Sequence, residues 1–138
     1  MSTNAWIIAK NPAAPAEARQ VYVHWDGGFW HVGPMLLAYY NTDERVQALI
    51  NGGNMSTLAP VVGECEFYNR PGEEAQDADI PAPFGPGDQL GMKTTEVVCF
   101  DREVFEYYWD GENWYVDDGL LLSAAIAIYN AQESAKNG

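Results

Sequence analysis

Val104-Phe105-Glu106-Tyr107-Tyr108-Trp109-Asp110-Gly111-Glu112-Asn113-Trp114-Tyr115-Val116 is the stretch whose reading decides the fold. Two aromatic-rich runs flank Asp110-Gly111, the pair best suited to a two-residue type I′ turn, where both positions take a positive φ. A hairpin with that turn pairs Trp109 with Glu112, Tyr107 with Trp114 and Phe105 with Val116. Alternation puts Phe105, Tyr107, Trp109, Trp114 and Val116 on one face, and Glu106, Tyr108, Asn113, Tyr115 and Asp117 on the other. A slip of one residue would mix the two sets, so the pattern specifies the register.

Downstream, Leu121 to about Ala135 predicts a helix with Leu122, Ala125, Ile126 and Tyr129 on one stripe, capped by Asp117 or Asp118. Upstream, Thr94 to Phe100 has strand composition, and Glu64 to Tyr68 alternates charged and apolar groups as an edge strand does. Between them, residues 69–91 hold four Pro, four Gly and several acids, which predicts a long mobile surface loop. Nearer the start, Ala5 to Lys10 and Val21 to Trp25 read as strands, the second with Val21, Val23 and Trp25 on one face and Tyr22 and His24 on the other. Pro12 and Pro15 predict a loop over Asn11 to Glu17, because proline cannot donate to a ladder. Pro34 suits a first helical position. A second helix starts at the N-cap Thr42, keeps Val46, Leu49 and Ile50 at core spacing, and stops at Gly52-Gly53. Adjacent strands and tight turns imply one α+β domain over residues 1–138: a mainly antiparallel sheet with helices on one face and a helix at the C-terminus.

Charge is distributed unevenly along this chain. Residues 1–60 carry three Lys and Arg against four Asp and Glu, a net −1; residues 61–138 carry four against sixteen, a net −12. Eighteen aromatic residues exclude the composition of a disordered acidic protein, so the acids decorate a packed scaffold. Seven Lys and Arg scattered among twenty acids make no basic stripe, which argues against direct nucleic-acid binding. No apolar run approaches a membrane span, and the N-terminus has no basic region followed by an apolar run, so neither a membrane anchor nor a signal peptide is expected. Cys65 and Cys99 are expected to be reduced and buried, as suits a cytoplasmic protein.

Val21-Tyr22-Val23-His24-Trp25-Asp26-Gly27, followed by His31-Val32-Gly33 and Leu36-Leu37, resembles a family of small conserved proteins of uncharacterised function encoded by bacteriophages and prophages. The family's second strand reads Tyr-Cys-His-Trp-Asp-Gly-Tyr and runs into a Val-Gly-x-x-Leu-Leu helix. Leu49 to Leu58, Tyr68 to Glu73 and the Tyr107 to Val116 hairpin resemble later family segments, so the likeness spans nearly the whole chain. Gly28 stands where the family has an aromatic, Val23 where it has Cys, and Pro71 where it has an acid. The resemblance implies a phage accessory gene, a class that includes antagonists of bacterial defence, acting in the cytoplasm of the bacterial host.

Three sets of residues are candidates for chemistry. His24, Asp26 and His31 form a His-x-Asp-x4-His group with the residue types of a metal site, but three groups around a glycine turn are also explained by Asp26 accepting backbone N–H bonds and a partly buried His24. No metal and no cofactor is expected. The cysteines read as small hydrophobes rather than nucleophiles. A small-ligand site would use Tyr22, His24, Trp25, Asp26, Trp30 and His31, with Arg70 to meet a phosphate. A protein-binding surface would use the carboxylates of Glu64, Glu66, Glu73, Glu74, Asp77 and Asp79 in one segment, and Glu106, Asp110 and Glu112 in the hairpin, with Tyr68, Tyr108 and Tyr115 as aromatic anchors.

The expectation is a non-enzymatic accessory protein that binds and inhibits a host protein with a basic, nucleic-acid-handling surface. Its acidic face would act as a nucleic-acid mimic, in the manner of an anti-CRISPR protein. The alternative is a small-molecule or nucleotide-signal sponge built on the His-Trp-Asp-Gly region. Arg19, Arg45 or Arg70 converging beside His24 and a Trp would favour the sponge.

Overall fold

Every second residue of the first strand is sealed from solvent: Ala5, Ile7 and Ala9 point into one core, while Trp6 and Ile8 pack on the opposite side. That alternation fixes the centre of the sheet in a computed structural model that describes residues 3–25, 27–28, 30–79, 104–116 and 120–137. The strands are β1 (Asn4–Asn11), β2 (Ala14–Val23), β3 (Met55–Thr57), β4 (Glu66–Phe67), β5 (Gln76–Asp79), β6 (Val104–Trp109), β7 (Trp114–Val116) and β8 (Leu120–Leu121). The helices are α1 (Val32–Tyr39), α2 (Asp43–Asn51) and α3 (Leu122–Asn137), and Val62–Glu64 forms a single 3₁₀ turn. The sheet runs β4-β3-β2-β1-β6-β7-β8, with β5 also paired to β2. Pairing is antiparallel except for β1 with β6 and β2 with β3, so this is a mixed, mainly antiparallel α+β domain.

One sheet face meets the helices. Val21, Val23, Met55, Phe105, Tyr107, Trp109, Trp114 and Val116 join Val32, Leu36, Val46, Leu49, Ile50, Leu122 and Ala125 in a single cluster. The N-cap read at Thr42 is present: its side chain accepts the Arg45 N–H at 3.3 Å, and Gly53, at φ 87°, turns the chain out of α2. Polar bonds pin α2 to the sheet. Trp109 Nε1 donates to Asp43 Oδ1 at 3.0 Å, Gln47 Nε2 to the Lys10 carbonyl at 3.1 Å, and Arg19 Nη2 to Asn51 Oδ1 at 2.8 Å. The small side chain of Ala9 sits between Arg19 and Trp109 in the same row of the sheet.

Several elements differ from the sequence reading, among them short strands β3 and β8, which it did not contain, and α1, which starts at Val32 rather than Pro34. The hairpin pairs Trp109 with Trp114, Tyr108 with Tyr115 and Tyr107 with Val116, a shift of two residues. Asp110 is the cause: its carboxylate accepts the Glu112 N–H at 2.8 Å and the Asn113 N–H at 2.7 Å, which holds a four-residue connection in place of the two-residue turn. A shift of two preserves the faces, so the sorting of side chains survives. Strand β2 begins at Ala14 rather than Val21, because the register jumps from Lys10–Ala18 to Asn11–Ala14 and leaves Pro15 in the irregularity, where no ladder bond is required of it. It ends at Val23, so Trp25 leaves the core face and is half exposed. Within the expected loop over 69–91, Gln76–Asp79 is a strand paired with Glu17–Gln20. Residues 69–75 of that loop are a described connection, whereas residues 80–91, the expected strand at Thr94 to Phe100, Cys99, and the caps at Asp117 and Asp118 lie outside the described residues.

Gly27 shows why the segment after β2 needs glycine. Its N–H donates to the Thr3 carbonyl at 2.8 Å, and its carbonyl accepts the Tyr107 hydroxyl at 3.2 Å. A Cβ there would lie 2.6 Å from Ala5 N and 2.8 Å from Asn4 O, both backbone atoms. Gly27→Ala is expected to destabilise by about 1–3 kcal/mol. Gly63→Ala, where a Cβ would meet nothing within 4 Å, should stay within about 0.5 kcal/mol of wild type. Urea denaturation of the pair checks this; equal midpoints would refute the close approach.

Candidate protein-binding surface

The acidic segment occupies the outer edge of the sheet, where β4 flanks β3 and β5 flanks β2. Glu64 is exposed on the 3₁₀ turn, Glu66 on β4, Glu74 in the connection and Asp77 on β5. Glu66 Oε2 accepts the Ser56 hydroxyl at 3.1 Å, and Glu74 Oε2 accepts the Gly72 N–H at 3.0 Å. The side chain of Asp79 is outside the described residues, although its backbone pairs with Glu17.

Glu73 has a different role from the one its charge suggests. Its Oε2 accepts Asn54 Nδ2 at 3.0 Å, its carbonyl accepts the Asn54 N–H at 2.7 Å, and its other oxygen faces Arg70 Nη2 at 3.6 Å. Asn54 in turn accepts the Tyr22 N–H at 2.8 Å through Oδ1. Glu73 and Asn54 therefore tie the 69–75 connection to β2, and Glu73 is structural.

Among the described residues, the hairpin carboxylates do not form a second flat acidic patch. Glu112 is exposed, Asp110 is committed to its own turn, and Glu106 is exposed in register with Trp6, on the same sheet face. Tyr108 and Tyr115 are corrected as anchors: at 2% and 7% exposure they pack with Ile8 and Ala18 and offer a partner almost nothing. Burial first, and then the nearby Asp110 carboxylate, push the Tyr108 hydroxyl up to about 12, and the same two causes raise Tyr115. Both are buried because the sheet carries an apolar cluster on each side at this end. Three strands separate β4 from β6, roughly 19 Å from edge to hairpin, so the described carboxylates frame the sheet and do not merge into one patch.

The His24 region is an aromatic strip. Trp6 and Tyr22 have ring centroids 5.0 Å apart, Tyr22 and His24 6.1 Å, and His24 stands edge-on to Trp25 at 4.4 Å. The backbone of His24 and Trp25 continues past β2 by donating to the Met55 and Ser56 carbonyls at 3.0 and 2.7 Å. Trp30 is exposed and folds over Gly28, which has no room for a Cβ beneath the indole. His31 begins α1 without capping it, and its Nε2 is buried with no hydrogen-bond partner among the described residues. Asp26 lies outside the described residues, and among those described no three His, Cys, Asp or Glu are grouped to hold a metal.

The arginines go elsewhere. Arg19 reaches Gln47 and Asn51, Arg45 donates to the Tyr39 carbonyl at 3.4 Å, and Arg70 lies over the Tyr68 ring at 5.0 Å. A cavity of about 420 Å³ beside Arg70 and Glu73 and another of about 370 Å³ beside Tyr39 and Arg45 are both lined without His24, Trp25 or Trp30. The convergence a nucleotide-signal site needs is therefore not provided by these three arginines. Sequence reasoning missed Trp6, Asn54 and Ser56 as members of the same surface; the period-two pattern Trp6/Ile8, Tyr22/His24 and Glu66/Tyr68 held that information.

No family model, no curated protein and no solved structure matches this chain. No helix among the described residues is long and apolar enough to cross a membrane.

Proposed function

We propose that this is a non-enzymatic accessory protein of the phage type that binds a basic surface on a host protein in the bacterial cytoplasm, a surface that otherwise holds nucleic acid. The supporting observation is the edge formed by β4, the 69–75 connection and β5. It presents Glu64, Glu66, Glu74 and Asp77 to solvent, while the described arginines bond to other groups. With a net charge of −13 behind it, that edge would steer a cationic partner to fast, salt-sensitive association.

Capture from host lysate at low and high salt, followed by binding measurements on the captured protein, tests the reading. The triple reversal Glu64→Lys, Glu74→Lys and Asp77→Lys should weaken binding by about ten- to a hundredfold at low salt, mostly through the association rate. Glu73 is left intact because its reversal would break the Asn54 bond and confuse loss of fold with loss of binding. Unchanged affinity in the triple variant would remove the mimicry mechanism.

A further inference from the structure

The aromatic strip and the acidic edge, far apart in sequence, share one sheet face. Ile7, Val21, Met55 and Phe67 point to the helices, so their neighbours Trp6, Tyr22, Glu66 and Tyr68 take the other side. Glu106 is in register with Trp6, and Trp6 with Tyr22. Ser56, whose carbonyl holds the Trp25 N–H, donates its hydroxyl to Glu66. Asn54 links the two flanks through its own polar groups: its Oδ1 accepts the Tyr22 N–H at 2.8 Å and its carbonyl accepts the Tyr68 N–H at 3.1 Å. The result is a row of rings, Trp6-Tyr22-His24-Trp25, with a carboxylate on each flank: Glu106 from β6 and Glu66 from β4. Trp6, Tyr22 and His24 are half-buried, and Trp25 is 49% exposed, so the rings are held in place yet reachable.

We propose that this face grips arginine side chains of the basic partner, stacking guanidinium groups on the ring row while Glu66 and Glu106 meet their charge. The inference rests on the proposed function and names the chemistry by which the partner is selected. Rings attract cations through their negative faces, and guanidinium, planar and weakly hydrated, stacks where a strongly hydrated ammonium does not. The protein already contains one example of the contact, Arg70 over Tyr68 on the same face. Among the described residues the row crosses two strands without closing into a cage. It therefore suits an extended arginine-bearing segment rather than a free small cation. The His-Trp pair then acts as part of a specificity surface and not as a metal or nucleotide site.

Octa-arginine and octa-lysine peptides separate stacking from plain charge attraction. In 150 mM salt the wild-type protein should bind octa-arginine about fivefold or more tightly than octa-lysine. Trp25→Ala removes a half-exposed ring outside the two buried clusters, and should lower octa-arginine affinity severalfold while leaving octa-lysine unchanged. Glu66→Gln with Glu106→Gln should weaken both peptides. Equal affinities for the two peptides in wild type, or equal losses in Trp25→Ala, would overturn the stacking while the charge-driven function stood. Failure of both peptides to bind at low salt would overturn both.

Discussion

Trp109→Ala is expected to cost about 3–5 kcal/mol, a large part of the roughly 5–15 kcal/mol that holds a domain of this size together. Trp109 is 1% exposed, and its ring packs on Trp114 with centroids 5.3 Å apart. Its indole N–H reaches Asp43 at the start of α2, so truncation opens a cavity and also frees the helix from the sheet at that point. Trp114, whose N–H donates to the Tyr40 carbonyl at 2.7 Å, fastens the end of α1 to the same hairpin. Trp109→Phe should recover most of the lost stability because it fills most of the volume and gives up one hydrogen bond, about 1 kcal/mol. Urea denaturation with a shared slope across wild type, Trp109→Ala and Trp109→Phe reads these values. A loss below about 1.5 kcal/mol in the alanine variant would mean that the hairpin does not anchor the helices.

The same hairpin shows what the sequence can and cannot reveal. Its two faces were legible because alternation depends only on odd and even positions, and a two-residue change of register leaves those untouched. The turn was not legible, since Asp110-Gly111 fits a tight turn by composition while the Asp110 carboxylate, bonding to two N–H groups beyond it, widens the connection. The α2 cap at Thr42 and its stripe of Val46, Leu49 and Ile50 were readable because both are set within one short segment. Strand β5 was not: Gln76-Asp77-Ala78-Asp79 has no β-branched or aromatic residue, and only its pairing to β2 makes it a strand. The parallel pairing of β1 with β6 joins segments about a hundred residues apart, beyond any local signal. For the site, negative charge marked the edge correctly but said nothing of Glu73, whose carboxylate is spent on Asn54. Tyr108 and Tyr115 look like interface aromatics in sequence, and only packing reveals that both are inside.

Those buried tyrosines lead to the second large effect, a loss of stability in alkali. In an unfolded chain a tyrosine ionises near pH 10, whereas Tyr108 stays protonated until about 12, because burial and the Asp110 charge oppose the phenolate. Below pH 10 both states keep the proton and nothing changes. Between about 10 and 12 the unfolded state releases it first, so it binds fewer protons than the native state and stability falls as pH rises. Tyr108 alone removes about 2–3 kcal/mol across that window. Tyr115 and Tyr22 are shifted in the same direction, as is Tyr40, where burial acts together with a hydrogen-bonding contact to Cys65 at 3.5 Å, so their losses add to it. The protein should therefore hold its urea midpoint from pH 7 to 9 and lose it steeply above 10. Tyr108→Phe has no proton to release and should flatten part of that decline, even if it starts from a lower stability. A midpoint that stayed constant to pH 11.5, or a Tyr108→Phe profile parallel to wild type, would show that this hydroxyl is not held in the second core between the hairpin and β1.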